Sequence, residues 1–280
     1  RHGAALQVDA MLRRHVGDVD AHIVLIQVGP GGSGKTHGQN KVVRPLAIKL
    51  RGPSGERGLC QANAAARVLG HGAMTCHAFI HQLMGEKVSR GRTKKQEQAE
   101  KEAGNLLSLS VDEFGMLSFA VFDAVEEYCA LGCGTAATTA GLSAALRRLF
   151  GGIAAVALLG DFYQLPPVLA QGAAQMHTQE AANFETAQGW AKYKQIEDAI
   201  VLRECKRFNS KVLERLTTCW RSGQRSTDDD WAKFEECMEN APEYMDDRGN
   251  DTRFADPGFL GATFVSDMWQ VRGGWVVVVV

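Results

Sequence analysis

The chain has 280 residues, 45% apolar and 22% charged, with a formal net charge of -1. That allows one large soluble domain or two modest ones with a sizeable core. It excludes bulk attraction to nucleic acid, which would have to rest on a local track of Lys and Arg; no apolar run reaches bilayer length, so no membrane partner is expected.

In chain order, "HIVLIQV" (22–28) reads as a buried strand, and "GPGGSGKT" (29–36) follows it directly. "RGPSGERG" (51–58) reads as a loop, punctuated by Gly and Pro and solvated by its charges. "EKVSRGRTKKQEQAEKE" (86–102) has two readings: a solvated helix or insertion, or a basic strip (Arg90, Arg92, Lys94, Lys95) that touches nucleic acid. "LLSLSV" (106–111), "IAAVALLG" (153–160) and "AIVL" (199–202) are further strands. None alternates cleanly, as expected when helices cover both faces of a parallel sheet. "MLSFAVFDAVEEYCAL" (116–131) predicts a helix with Leu117, Val121, Ala124 and Val125 on one face; "GLSAALRRLF" (141–150) and "SKVLERLTTCW" (210–220) have similar spacing. Residues 222–256 are polar and acidic and read as surface helix plus loop. Strands alternating with helices predict an α/β fold with a mostly parallel sheet flanked by helices.

The seven cysteines (Cys60, Cys76, Cys129, Cys133, Cys205, Cys219, Cys237) are scattered and odd in number. They read as reduced, mostly buried thiols of an intracellular protein; Cys129 and Cys133 can share a helix face, but two thiols do not make a zinc site. No basic stretch and apolar core open the chain, so secretion is not expected. The start at Arg1 and the ending "WVVVVV" suggest a piece of a longer product.

Gly29-x-x-x-x-Gly34-Lys35-Thr36 fits the phosphate-loop pattern without mismatch. Gly31, Gly32 and Gly34 let the backbone curl, with Ser33 between them, so that N–H groups face phosphate oxygens. A helix starting near Lys35 adds its positive end. Lys35 sets an ammonium against the β- and γ-phosphates, and Thr36 offers Mg²⁺ a hydroxyl. "LSVDEFGM" (109–116) supplies two carboxylates at a strand end: Asp112 to bind Mg²⁺ through water, Glu113 to orient and polarise the attacking water. In "GDFYQLPPV" (160–168), Pro166 and Pro167 stiffen the turn that aims Gln164, an amide placed to report a γ-phosphate. Phe162 and Tyr163 read as packing residues rather than base-stacking ones. These residues alone define an ATPase with a sensor and do not say what it acts on.

"GDFYQLPPV", with "GPGGSGKT" and "VDEFGM", resembles the Pif/RecD-type branch of superfamily-one DNA helicases, including the helicase part of Helitron transposons. In the same order, "QANAAARVLGHGAMTCHAF" (61–79) is similar to the family's DNA-contacting segment, which implies Thr75 and His77 near DNA. "VLRECKRF" (201–208) is similar to the motif whose arginine reaches the γ-phosphate, here Arg207, and "LERLTTCWRSG" (213–223) to the helix ending in Arg221 and Gly223. Gln7 stands where the family's adenine-reading glutamine would be. The resemblance covers about residues 5 to 225. It implies a RecA-like P-loop motor domain over 1–225, ATP and Mg²⁺ as cofactors, and single-stranded DNA and duplex junctions as partners. It also implies helicase activity with 5'-3' polarity, in the nucleus or a mitochondrion.

The sequence departs from the family pattern at Asn63, where glycine is common, and at Gly115, beside the acidic pair. The motifs of a second RecA-like domain are essentially missing; residues 226–280 read as an acidic surface segment and the start of a truncated second domain, with "FLGATFVSDMWQV" (259–271) as at most its first strand. One domain lacks the lever for translocation, so this chain is expected to bind ATP·Mg²⁺ weakly and to hydrolyse it slowly or not at all. The alternative is a truncated, inactive transposon-derived relic that at most binds nucleotide or DNA.

Overall fold

The computed structural model describes residues 2–70, 72–84, 103–133, 148–163, 184–206, 211–239, 269–271 and 274–276. The chain divides into two compact units, residues 1–209 and 210–280.

The first unit is built on a six-stranded sheet: β1 (Ile23–Val28), β2 (Glu56–Cys60), β3 (Met74–Thr75), β4 (Ser108–Val111), β5 (Ala155–Gly160) and β6 (Asp198–Val201). The order is β3-β2-β4-β5-β1-β6 and every pairing is parallel. The four strands read from the sequence are all present.

Helices cover both faces. On one side Val24, Ile26, Leu109, Val111, Val156 and Leu158 pack with Phe79 of α5 (Cys76–Met84) and Phe122 and Val125 of α6 (Phe119–Gly132). On the other, Met11 of α1 (His2–His15) meets Val43 and Ala47 of the helical run that follows the glycine-rich loop. That run is α2 (Lys35–Gly38), a π-helical turn (Gln39–Val43) and α3 (Arg44–Arg51), contiguous in sequence; α4 (Asn63–Leu69) lies between β2 and β3.

Helix α6 is buried over a wider arc than Leu117, Val121, Ala124 and Val125 predict. Leu117 precedes the helix, and Phe119, Phe122, Val125, Glu126, Tyr128, Cys129 and Ala130 are the buried positions. Ser118 caps it, accepting from the Val121 N–H at 3.3 Å. The buried Glu126 is matched: Lys192 on α7 (Phe184–Tyr193) lies 2.6 Å from its Oε2, 2.5 Å from Asp123 and 2.7 Å from Glu127. Burial alone would lower the lysine's pKa, but these carboxylates raise it.

The loop read over 51–58 needs correction. A short 3-10 turn (Pro53–Gly55) follows Gly52, and Glu56–Cys60 is a central strand of the sheet. Its charge is paired inside the protein rather than solvated: Arg44 Nε lies 2.9 Å from Glu56 Oε2, and both side chains are buried. Arg44 Nη1 also donates to Asn40 Oδ1 at 2.7 Å and to Leu69 O at 3.1 Å. Gly58 makes room for this guanidinium, since a Cβ there would lie 2.6 Å from Arg44 Nη2.

Residues 149–152 form a 3-10 turn rather than the end of a helix, with Phe150 and Gly151 left-handed. The Phe150 N–H donates to Glu126 Oε1 at 3.0 Å. Residues 141–147 of the predicted helix and the charged stretch 86–102 lie outside the described residues.

In the second unit, α8 (Lys211–Ser222) matches the helix read over 210–220, and α9 (Asp228–Glu239) is followed by a short antiparallel pair, β7 (Trp269–Val271) with β8 (Gly274–Val276). Thr227 caps α9: its Oγ1 accepts from the Asp230 N–H at 3.1 Å. No helix among the described residues is long and apolar enough to cross a membrane. The six thiols described, Cys60, Cys76, Cys129, Cys133, Cys205 and Cys219, are all free, and the first three are buried.

Candidate nucleotide site

Six parallel strands put all their carboxyl ends on one edge, and ligands of open α/β sheets bind outside that edge. The glycine-rich loop leaves β1 there, Asp112 and Glu113 leave β4, Asp161 leaves β5, and residues 202–206 leave β6.

The loop's glycines have distinct tasks. Gly32 and Gly34 take positive φ, 77° and 90°. Gly29 is needed for close approach, since a Cβ there would lie 2.6 Å from Leu202 O and 2.8 Å from Ser33 Oγ. Its N–H donates to Gly160 O at 3.2 Å, tying the loop to the end of β5. Lys35 opens α2 as expected, and its Nζ donates to Gly29 O at 2.7 Å and Pro30 O at 3.0 Å.

Thr36 and Asp112 come together across the sheet. Thr36 Oγ1 donates to Asp112 Oδ2 at 2.9 Å, while Asp112 Oδ1 accepts the Glu113 N–H at 3.0 Å. Glu113 sits at φ 56°, ψ 34°, a left-handed conformation that few non-glycine residues adopt. Burial, and then the Asp112 charge, hold its carboxyl above the usual glutamate range. Among the described residues its buried Oε2 has no hydrogen-bond partner, and neither has the buried Ser33 Oγ. Beside them, burial and then the Glu113 and Asp112 charges push the Cys60 thiol up to about 11.

The residues present fit a nucleoside triphosphate with Mg²⁺. The chain offers a left-handed glycine cradle at a helix start, a lysine, a hydroxyl–carboxylate pair for a hard cation, and polar oxygens left without protein partners. Gly115 has a local reason: a Cβ there would meet Asp161 O at 3.1 Å, where the turns after β4 and β5 touch.

The other predicted site residues fall in three groups. Thr75 ends β3, and its Oγ1 accepts the Ala78 N–H at 3.1 Å, capping α5; His77 is exposed in the first turn. Thr75 ends the outermost strand and His77 follows it in α5, with β2, β4 and β5 between that strand and β1. Gln7 is buried on α1, donating to Gly3 O at 3.2 Å and accepting from Gln39 Nε2 at 3.0 Å. Gln164 and Arg207 lie outside the described residues. Phe162 packs against the core and Phe114, as read, but Tyr163 is 70% exposed.

Sequence reasoning singled out residues 201–208 for Arg207 and missed the contacts that the segment after β6 makes with the phosphate loop. The Leu202 N–H donates to Val28 O at 2.7 Å and the Lys206 N–H to Gly32 O at 2.9 Å. The Cys205 thiol donates to Gly31 O at 3.1 Å. No periodicity marks these contacts; the only signal was their place just before Arg207.

A RecA-like parallel sheet with a phosphate loop after β1 and an acidic pair after β4, with β5 between the two strands, defines a P-loop NTPase domain. The family model of the PIF1-like helicases matches residues 14–219, and the chain belongs to that family. Its fold is similar to the crystal structure of Pif1 helicase from Candida albicans, with TM-score 0.54 and 22% identity over 82% of this chain and 46% of that one. It is also similar to Bacteroides Pif1 bound to ssDNA (TM-score 0.53, 18% identity, 81% of this chain and 49% of that one). A third similar structure is Bacteroides Pif1 in complex with ADP-AlF3 and ssDNA (TM-score 0.52, 18% identity, 82% and 48%). The chain thus spans about half the length of these structures. A search of curated proteins found no match.

Proposed function

We propose that this chain is the first motor domain of an ATP-dependent DNA helicase, in which ATP hydrolysis is coupled to movement along single-stranded DNA and to duplex unwinding. The observation that carries the reading is the Thr36–Asp112 hydrogen bond beside a left-handed glycine loop, with the half-buried Glu113 next in the chain. Family membership and the DNA and nucleotide analogue bound by the Bacteroides relatives support it.

Gly29 to Gly34 would cradle the phosphates, Lys35 would move from the loop carbonyls to the β- and γ-phosphates, and Thr36 and Asp112 would hold Mg²⁺. When bound, the metal neutralises charge that builds on the phosphate oxygens. Glu113, strained and desolvated, is suited to accept a proton from an attacking water. Gln164 is proposed as the γ-phosphate sensor, Arg207 as the arginine that reaches that phosphate, and Gln7 as the adenine contact. The last role requires its amide to leave Gln39. Thr75 and His77 are proposed to lie near the DNA backbone. Translocation needs a second motor domain to close the cleft, so the isolated chain is expected to bind ATP·Mg²⁺ weakly and turn it over slowly.

The test is ATPase activity with and without single-stranded DNA, in a form extended past Val280. Stimulation by DNA that disappears in Lys35→Ala supports the reading. Stimulation that persists unchanged in that variant contradicts it, and no DNA response at all favours a P-loop ATPase of another process or an inactive relic.

A further inference from the structure

We propose that Cys205 is a positioning residue for the nucleotide. Its thiol holds the phosphate loop in the curled form that turns carbonyls away from phosphate. The proposal rests on the nucleotide-binding reading above.

A loop that binds phosphate through its N–H groups must point its carbonyl oxygens elsewhere, because each would repel a phosphate oxygen. The partners of these carbonyls can be traced one by one. Val28 O accepts from the Leu202 N–H at 2.7 Å. Gly29 O and Pro30 O accept from Lys35 Nζ, and Pro30 O also from the Ser33 N–H at 3.1 Å. Gly31 O accepts from Cys205 Sγ at 3.1 Å, and Gly32 O from the Lys206 N–H at 2.9 Å.

These anchors differ in permanence. The lysine is the group proposed to move to the phosphates, which takes its donor from Gly29 O and leaves Pro30 O with the Ser33 N–H. The restraints from residues 202–206 do not depend on it. They grip both ends of the curl, and at Gly29 the two segments approach so closely that no side chain fits. Within this strut every link but one is a backbone group. Cys205 is therefore the position where a single side-chain substitution removes one support of the loop and leaves the strand path intact. The thiol is partly exposed, whereas burial pushes the Cys76 thiol up to about 12 and holds the Cys129 thiol well above its ordinary value.

The test uses the 280-residue protein. Calorimetry gives the ATP·Mg²⁺ Kd for the wild type, Cys205→Ala and Cys205→Ser, with melting temperatures measured in parallel. The alanine variant should bind about three- to fivefold more weakly, the effect of losing one modest neutral hydrogen bond, and serine, which keeps a donor, should return to within about twofold of wild type. A purely structural role predicts lower melting temperatures without rescue of affinity by serine. In the unmutated protein, ATP·Mg²⁺ but not Mg²⁺ alone should slow maleimide labelling of Cys205, read by peptide mass spectrometry. Equal affinity in wild type and alanine variant, or labelling indifferent to nucleotide, overturns the role of Cys205. Absence of ATP binding in the wild type instead overturns the nucleotide site itself.

Discussion

The Thr36 hydroxyl donates a 2.9 Å hydrogen bond to Asp112 Oδ2, joining two residues 76 positions apart. One comes from the helix after β1 and the other from the end of β4, with β5 between those strands. Such a pair presents one hydroxyl and one carboxylate to a common point, the small oxygen set that Mg²⁺ accepts while keeping its waters. Asp112→Asn should therefore remove most of the magnesium dependence of ATP affinity. Calorimetry with Mg²⁺ and with a chelator should give affinities about tenfold apart in the wild type and nearly equal in the variant, the scale of losing one metal-side partner.

Glu113 combines a left-handed backbone, a buried oxygen without a partner and a raised carboxyl pKa. A carboxyl raised in the fold binds its proton more tightly there than in the unfolded chain. Its contribution to stability is thus greatest below the unfolded value and falls as pH rises from the ordinary glutamate range through the folded one. Glu113→Gln should flatten that part of the melting-temperature profile and stabilise the protein at neutral pH by about 1 kcal/mol. The same change should lower turnover by at least about a hundredfold in the extended protein, the usual contribution of a positioned base.

Gly29→Ala tests the packing of the loop on the segment after β6. The added Cβ would stand 2.6 Å from Leu202 O, a backbone atom that cannot swing aside. The expected cost is about 1–3 kcal/mol, the range for overpacking, measured by chemical denaturation. Nucleotide affinity should fall with it, because the displaced strut carries Cys205 and Lys206.

The Arg44–Glu56 pair offers a test in the core. Glu56→Ala leaves a buried guanidinium without its charge partner and should destabilise by about 3–5 kcal/mol. A double change, Arg44→Met with Glu56→Leu, should recover most of that loss, since well-packed apolar replacements of buried ion pairs are often neutral.

That same pair explains where the sequence misled. β1, β4, β5 and β6 lie in runs rich in Val, Ile, Leu and Ala and were legible. β2 opens with Glu-Arg-Gly, which reads as a turn because nothing local reveals that Glu56 finds Arg44, twelve residues earlier in the chain, inside the protein. β3 spans only Met74–Thr75, too short for any periodic signal. Lys35, Thr36, Asp112 and Glu113 were legible because their chemistry dictates spacing next to a strand. Cys205 was not, since a thiol that meets a carbonyl 174 positions away leaves no local pattern. Tyr163 was misread because an aromatic after a buried strand is usually core. Here the Tyr163 N–H donates to Asp161 Oδ1 at 3.1 Å in a tight turn, and the residue is 70% exposed.

The most direct measurement is calorimetric titration of the folded chain with ATP in the presence of Mg²⁺, repeated on Lys35→Ala. The expected result is saturable heat for the wild type at one site per chain, and at least about tenfold weaker binding for the variant, whose melting temperature stays close to wild type. No heat from well-folded wild-type protein, or equal binding by the two, would contradict a triphosphate held by residues 29–36.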